Sequence, residues 1–220
     1  MKKNKKIVLS FDLDNTLIDN REGIINSFNY TLNKFNLSEM ETSKIERMIG
    51  TPLNDMFAQV SDIDPSLLSS SFREYYGIKG IFQSKLLPGV KNKLKELKKK
   101  NFTLGIVTSK KQEMAKRITK ILKINKYFNY IIGETQNIRN KLDPNLKKIL
   151  FNKYSNHNFI IIGDHPKDVM LSNSINCPFI GVLTGNYSAK QLTEIKDGKS
   201  LILNSVREIT SDLIYSLIKI

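Results

Sequence analysis

Two aspartates, Asp12 and Asp14, stand two residues apart directly after a short apolar run. The run, Ile7–Phe11, has the length and composition of a buried strand, so these carboxylates sit where a protein core offers little solvation. Carboxylates in such a position are usually paired, hydrogen-bonded or bound to a metal ion. The Asp-x-Asp pattern alone is weak evidence, because it also occurs by chance. The rest of the chain has to supply partners for the pair.

Polar side chains follow three further apolar runs of the same kind. Each has an ordinary structural explanation when taken singly, such as a helix cap or a surface charge. In an open parallel sheet, however, ligands bind beyond the carboxyl ends of the strands, so these side chains are expected to converge on one edge. They are Thr108 and Ser109 after Phe102–Val107, Lys141 after Tyr130–Gly133, and Asp164 and Asp168 after Phe159–Gly163.

This set of side chains suits phosphoryl transfer. Crowded carboxylates raise each other's pKa unless a cation neutralises them, and hard oxygen ligands select Mg²⁺. A hydroxyl, a lysine and backbone N–H groups at a helix N-terminus suit the oxygens of a phosphoryl group. One carboxylate can attack phosphorus, and a second can carry the proton.

Strands and helices alternate along most of the chain, which predicts an α/β fold with a Rossmann-like parallel sheet covered by helices on both faces. The predicted strands are Ile7–Phe11, Phe102–Val107, Tyr130–Gly133, Phe159–Gly163 and Phe179–Leu183, with Leu201–Leu203 as a candidate sixth. The predicted helices are Val90–Lys99, Gln112–Leu122, Pro144–Tyr154, Lys167–Ser174 and Val206–Ile218.

The interval between Leu17 and Leu87 breaks this alternation, because it shows helical patterns and no convincing strand. It is about seventy residues long, whereas a crossover between parallel strands needs far fewer. We therefore expect a small helical cap domain at residues 18–87, inserted into an α/β core of residues 1–17 and 88–220. An elaborated crossover packed on the sheet is the alternative.

The net charge of +14 raises the possibility of nucleic-acid binding. The excess is mostly lysine and is accompanied by many Asn and Ile residues, which is typical of a coding bias. The densest run, Lys91–Lys100, has the apolar spacing of an amphipathic helix with a solvated basic face. An ordinary surface is therefore favoured over a nucleic-acid site, and no membrane partner is expected. The single cysteine, Cys177, excludes an internal disulfide framework and favours a cytoplasmic location.

The four strand ends together resemble the motifs of the haloacid dehalogenase-like hydrolases, over about residues 6–185. The resemblance is to the branch of phosphoglycolate phosphatases with an inserted helical cap. It implies Asp12 as the nucleophile and Asp14 as the general acid and base. Thr108, Ser109 and Lys141 would bind phosphate. Mg²⁺ would be held by Asp12, by Asp14 through its carbonyl oxygen, and by Asp164, with Asp168 as a supporting group or ligand.

Three positions depart from the commonest pattern of this family. Asn15 replaces a frequent glycine, although Asn also tolerates the left-handed backbone. Leu142 follows Lys141 where a proline is usual. His165 stands where a small residue is more common, and a loop or capping role is expected for it.

Functions of three kinds have to be compared: a phosphatase, another phosphoryl-transfer enzyme with the same site, and a nucleic-acid-binding protein. The first is a Mg²⁺-dependent phosphatase acting on a small phosphomonoester, and Asp14 favours it because dehalogenating relatives lack that carboxylate. A sugar phosphomutase or a pyrophosphatase would use the same site. A basic nucleic-acid-binding protein would leave the acidic strand ends unexplained. Substrate choice is assigned to the cap, where Arg47, Thr51 and Arg73 are the candidate contacts.

Overall fold

The computed structural model describes residues 6–218 of the 220-residue chain. In chain order, the strands are β1 (Lys6–Phe11), β2 (Ile18–Asp19), β3 (Lys85–Leu86), β4 (Thr103–Lys111), β5 (Tyr130–Glu134), β6 (His157–Gly163), β7 (Phe179–Val182) and β8 (Ser200–Leu203). The helices are α1 (Arg21–Lys34), α2 (Thr42–Met48), α3 (Leu53–Ala58), α4 (Pro65–Ile78), α5 (Val90–Lys99), α6 (Gln112–Ile121), α7 (Pro144–Tyr154), α8 (Pro166–Ser174), α9 (Ala189–Thr193) and α10 (Ser211–Ile218).

Six strands form one parallel sheet in the order β5-β4-β1-β6-β7-β8, which confirms the predicted α/β fold. The first strand is central and its last five residues are buried. Its final residue, Phe11, pairs with Ile106 of β4 and with Ile162 of β6. The residues that follow these three positions therefore lie side by side at the carboxyl end of the sheet.

Helices α7, α8 and α9 cover one face of the sheet. Leu146, Leu150 and Tyr154 recur every fourth residue along α7, so they lie on one side of that helix. They belong to a buried cluster with residues of β1, β4, β5, β6 and β7. Helices α5 and α6 contribute no residue to this cluster; both contact β4, and α6 also contacts β5. Right-handed crossovers place these two helices on the other face.

The chain divides into two compact units: residues 1–18 with 86–220, called here the α/β unit, and residues 19–85, called the helical unit. The helical unit contains α1 to α4 and packs around a row of aromatic rings. Phe28 stacks on Phe57 with ring centroids 4.4 Å apart, and Phe57 meets the ring of Phe72 edge-on at 6.3 Å. These rings supply a core of the helical unit's own.

The structure differs from the predicted elements in several places. Strand β4 continues to Lys111 instead of ending at Val107, because a bulge between these two residues shifts its register against β5. The final helix begins at Ser211, because Val206–Glu208 forms a separate 3-10 turn that ends in extended backbone at Ile209. Helices α2 and α9 and the two-residue strands β2 and β3 had no predicted counterpart. Within residues 6–218, no helix is long and apolar enough to cross a membrane.

Candidate active site

Asp12 is the first residue beyond β1 and is almost fully buried. Its backbone N–H donates to the carbonyl oxygen of Ile162 at 2.8 Å, so β6 fixes the direction in which it leaves the sheet. The chain then turns sharply at Asn15, which has a left-handed backbone with φ of 55°. The substitution of Asn for glycine noted in the sequence is thus compatible with this turn.

Lys141 lies between two carboxylates at the centre of the site. Its Nζ is 2.6 Å from Oδ1 of Asp12 and 2.6 Å from Oδ1 of Asp168. The lysine side chain is only 3% exposed. Burial by itself lowers the pKa of the Lys141 ammonium, but the two carboxylates outweigh burial and raise that pKa above its usual value. Lys141 is therefore a permanently charged group that holds Asp12 and Asp168 on either side of it.

Asp168 sits in the first turn of α8 and is 1% exposed. Its Oδ2 accepts a hydrogen bond from the backbone N–H of His165 at 3.3 Å, which is half of a capping box. His165 completes the box as N-cap, since its Nδ1 accepts from the N–H of Lys167 at 3.0 Å. This confirms the capping role expected for His165. Burial raises the pKa of Asp168 to about 7, with Lys141 opposing the rise and Asp12 adding to it.

Asp164, directly after β6, is also buried. Burial and the nearby carboxylates of Asp12 and Asp168 raise its pKa well above the ordinary value. Thr16 opposes that rise, because its hydroxyl donates to Oδ1 of Asp164 at 2.8 Å. Gly185 packs against the other oxygen: a Cβ at this position would lie 1.9 Å from Oδ2 of Asp164.

Thr16, Thr184 and Gly185 belong to the site but were not among its predicted residues. The hydroxyl of Thr184 donates to the carbonyl oxygen of Asn15, which ties the segment after β7 to the turn after β1. The sequence carried a usable signal for these residues. Thr16 stands two positions after Asp14, and Thr184 and Gly185 follow the end of a buried strand, where functional groups were expected.

The bulge at the end of β4 positions three more polar side chains. Thr108 is buried, Ser109 is exposed, and the hydroxyl of Thr108 accepts from the backbone N–H of Lys110 at 3.2 Å. The Nζ of Lys110 lies 3.2 Å from Oδ2 of Asp14. Burial raises the pKa of Asp14, Lys110 lowers it, and Asp12 raises it further. Lys110 is thus a close partner of Asp14.

The carboxylates of Asp12, Asp164 and Asp168 each place an oxygen within 4.8 Å of the other two. All three are buried, and the ammonium of Lys141 is shared between Asp12 and Asp168. A hard divalent cation suits an all-oxygen donor set of this charge. The residues therefore fit Mg²⁺. The Asp14 carboxylate is outside this group of three, and its implied contribution as a ligand is its backbone carbonyl.

The three predicted substrate contacts lie in the helical unit. Arg47 is in the last turn of α2, Thr51 follows the left-handed Gly50 in the turn to α3, and Arg73 is in α4; all three are exposed. The helical unit also has a cavity of about 430 Å³, lined chiefly by charged and amide side chains, and none of the three lines it.

Known proteins resemble this chain along most of its length. A family model described as haloacid dehalogenase-like hydrolase matches residues 9–182. The 5'-nucleotidase of Pseudomonas aeruginosa is 27% identical over 187 residues, which cover 83% of this chain and 85% of that protein. Pyrophosphatase PpaX of Bacillus cereus is 26% identical over 162 residues, covering 73% and 75%. The phosphoglycolate phosphatase of Aquifex aeolicus is 29% identical over 165 residues, covering 74% and 78%.

Among solved structures, a haloacid dehalogenase-like hydrolase from Streptococcus pneumoniae has a TM-score of 0.84 to this chain. The two are 26% identical, and the alignment covers 96% of this chain and 98% of that one. The family match contains all four strand ends at which the polar residues of the site are found.

Proposed function

Because the chain belongs to the haloacid dehalogenase-like hydrolase family, we propose that it is a Mg²⁺-dependent phosphatase acting on a small phosphomonoester through an aspartyl-phosphate. The observation that carries the proposal is the buried Asp12–Lys141–Asp168 bridge with Asp164 beside it. Burying charged groups costs free energy, so a fold that places one ammonium among three carboxylates is best explained by a reaction that uses them. The names of the relatives agree with a phosphatase.

Asp12 is assigned as the nucleophile. A carboxylate oxygen of Asp12 forms a bond to phosphorus while the bond from phosphorus to the ester oxygen breaks. Asp14, two residues away, gives its proton to the leaving oxygen, and the alcohol departs. Asp14 then takes a proton from a water molecule whose oxygen attacks the same phosphorus. Inorganic phosphate leaves, Asp12 is again a carboxylate, and Asp14 is again protonated.

The phosphoryl oxygens need donors that neutralise their charge. The hydroxyls of Thr108 and Ser109 lie in the last part of β4, and Lys141 supplies a fixed positive charge next to Asp12. Lys110 contacts Asp14, which supports a role in holding that carboxyl group towards the reacting atoms.

The proposed ligands of Mg²⁺ are Asp12, Asp164 and the carbonyl oxygen of Asp14. When bound, the ion would neutralise charge on the carboxylates and on the phosphoryl oxygens. Asp168 contacts both Lys141 and the backbone of His165, so its proposed role is to hold Lys141 in place while remaining close enough to support the ion.

The helical unit is the proposed cap, with Arg47, Thr51 and Arg73 as contacts to the leaving group. Phosphoglycolate, nucleoside monophosphates and sugar phosphates are the substrate classes to test first. Pyrophosphate is the second candidate, because several relatives are named pyrophosphatase PpaX. We propose a cytoplasmic location, which a single buried cysteine supports.

Trapping the covalent intermediate tests the proposal. The enzyme is mixed with Mg²⁺ and substrate, quenched in acid and reduced with borohydride, which converts an aspartyl-phosphate to homoserine. Peptide mass mapping is expected to locate homoserine at position 12 in the wild type. Asp12→Asn should give none and should release no phosphate. Asp197→Asn changes an exposed carboxyl outside the site and serves as the matched control.

The same samples, assayed with several phosphate compounds, separate the alternatives. Phosphate released from one monoester supports the phosphatase, and selective cleavage of pyrophosphate supports the second candidate. Isomerisation of a sugar phosphate without release would assign a mutase instead. Wild-type turnover by Asp12→Asn would exclude Asp12 as the nucleophile.

A further inference from the structure

The net positive charge of this chain lies in one of its two units. The helical unit has seven basic and nine acidic residues and therefore a net charge of −2. The α/β unit has 28 basic and 12 acidic residues and a net charge of +16. A coding bias towards lysine would act on both parts of the gene. The different net charges of the two units therefore indicate that the excess of basic residues has a cause specific to the α/β unit.

Within the α/β unit, the charge is densest between Val90 and Lys126. This segment of 37 residues has 13 basic and two acidic side chains, and it forms α5, β4, α6 and the 3-10 turn Asn125–Tyr127. Both helices contact that turn, so they are neighbours on the same face of the sheet. Six exposed lysines are called here the α5–α6 surface: Lys91, Lys95 and Lys99 on α5, Lys116 and Lys120 on α6, and Lys123 two residues beyond the end of α6.

The lysines of the α5–α6 surface are not neutralised by the protein. Within residues 6–218, no carboxylate oxygen lies within 4.0 Å of any of their six ammonium groups. One of the two acids of the segment, Glu96, is 2.7 Å from Lys93 and 3.3 Å from Lys100, so it is already engaged. Like charges four residues apart on a helix destabilise it. A partner of opposite charge would remove that repulsion.

The chemistry of this surface favours a phosphate backbone as the partner. Lysines at every fourth residue of α5 are spaced by about 6 Å along the helix axis. An ammonium group is a point charge that binds phosphate without requiring one orientation, which suits contacts that are independent of base sequence. The six lysines are therefore carried on two neighbouring helices of fixed backbone, which suits contact with a linear polyanion.

An anionic membrane fits the α5–α6 surface less well. Helices that lie in a membrane surface insert large apolar side chains, but those of α5, such as Leu94 and Leu97, are buried. Ile118 of α6 is buried too. Of the exposed large hydrophobic residues among the described ones, none falls between Val90 and Lys126.

We propose that the α5–α6 surface binds the phosphate backbone of nucleic acid without sequence preference, at a place separate from the polar residues at the strand ends. The sequence alone favoured an ordinary solvated surface, and the segregation of charge between the two units is what changes that interpretation. With six phosphate contacts, the logarithm of the affinity should fall with the logarithm of salt concentration with a slope of about −5.

Fluorescence anisotropy with labelled duplex DNA and labelled RNA of mixed sequence measures this binding, between about 50 and 200 mM salt. Two triple variants test the surface: Lys91→Gln/Lys95→Gln/Lys99→Gln on α5, and Lys116→Gln/Lys120→Gln/Lys123→Gln on α6 and the turn that follows it. Each should weaken binding at low salt by tenfold or more and make the salt slope less negative by about 2 to 3.

The matched control removes the same net charge elsewhere, through Lys148→Gln/Lys153→Gln/Lys190→Gln on α7 and α9, and should change the slope by less than one. All variants should keep wild-type hydrolysis of p-nitrophenyl phosphate and wild-type circular dichroism, which separates failure of this inference from failure of the proposed enzyme activity. Absence of binding by the wild type at low salt would overturn the proposal. So would an equal loss in the control, or tighter binding to phosphatidylserine vesicles than to nucleic acid.

Discussion

The two units of this chain bury very different polar groups. Among the described residues, every buried charged side chain lies in the α/β unit; these are Asp12, Lys93, Lys141, Asp164 and Asp168. The helical unit buries only uncharged polar residues, and Ser27 and Thr31 are satisfied by helix carbonyl oxygens four residues earlier. Buried charge is costly, whereas a hydroxyl bonded to its own helix costs little. The reaction is thus expected in the α/β unit, where charged side chains stay buried although their burial costs free energy.

Several charges of the helical unit are paired at its surface. Arg21 contacts Asp19, and Lys85 lies 2.9 Å from Glu22. Exposed pairs of this kind contribute little to stability and are found on most proteins. A surface arginine that binds a substrate therefore looks the same as one that does not. This is why the reaction class can be inferred from the α/β unit, while the substrate cannot be inferred from the helical unit.

Of the substitutions that test this difference between the two units, removal of the Lys141 charge should lower activity the most. Lys141→Met keeps a side chain of similar length but leaves three clustered carboxylates without an ammonium group. Such a cationic group is worth roughly 10⁴-fold in phosphoryl transfer, so hydrolysis of p-nitrophenyl phosphate should fall by about that factor. Lys148→Met, an exposed change on α7, should leave the rate unchanged. Activity within tenfold of wild type in Lys141→Met would show that buried charge does not mark the reacting groups.

The strand-end rule explains how much of this site the sequence could predict. Each predicted residue of the α/β unit follows a run of apolar residues, and strand order alone brings Asp12, Thr108 and Asp164 to one edge. The rule says nothing of distances. That Lys141 bridges two carboxylates, or that Lys110 contacts Asp14, depends on a turn and on a bulge, which periodicity does not encode.

The missed elements have a similar cause. Helices α2 and α9 are seven and five residues long, which is too short for a clear apolar period. Gly185 was missed because a glycine after a strand is common, and only the position of the Asp164 carboxylate shows that a side chain cannot fit there. The place of Gly185 after a buried strand was a signal for a site residue, but its close approach to Asp164 is a property of the fold and leaves no pattern in a single sequence.

Gly185→Ala should produce the next largest effect. Its methyl group would overlap Oδ2 of Asp164, so either the carboxylate or the segment after β7 has to move. A displacement of about 1 Å in a site of this kind can cost roughly 10²-fold in rate, measured here as kcat/KM for p-nitrophenyl phosphate. Gly198→Ala is the control. A Cβ added at Gly198 would have no atom within 4 Å, whereas the left-handed φ of 87° at this position would strain an alanine.

Gly198→Ala should therefore lower the thermal unfolding temperature and leave kcat/KM intact. If both glycine variants lose activity equally, general destabilisation explains the loss, and the close packing of Gly185 on Asp164 has no catalytic importance.

A smaller effect is expected from Thr16→Val, which removes one hydroxyl at nearly constant volume. Asp164 would lose the hydrogen bond that Thr16 donates at 2.8 Å and would be oriented less firmly. Partners of this kind typically change metal affinity by about 10-fold to 100-fold, so the Mg²⁺ concentration for half-maximal rate should rise about tenfold. Thr119→Val removes a buried hydroxyl of α6 that donates to the backbone carbonyl oxygen of Lys116 and is the matched control. An unchanged Mg²⁺ requirement in Thr16→Val would argue that Asp164 does not hold the ion.

Arg47→Ala tests the helical unit and should have the smallest effect on the chemistry. If Arg47 contacts the leaving group, its loss should raise KM for the best physiological substrate by about tenfold, the usual cost of a charge-assisted hydrogen bond. The rate with p-nitrophenyl phosphate should change less than twofold, because its leaving group offers no matching anion. Lys44→Ala, an exposed cation on the same helix, controls for charge. Equal loss with both substrates would mean that the helical unit supports the chemistry itself, and the division of labour between the two units would have to be abandoned.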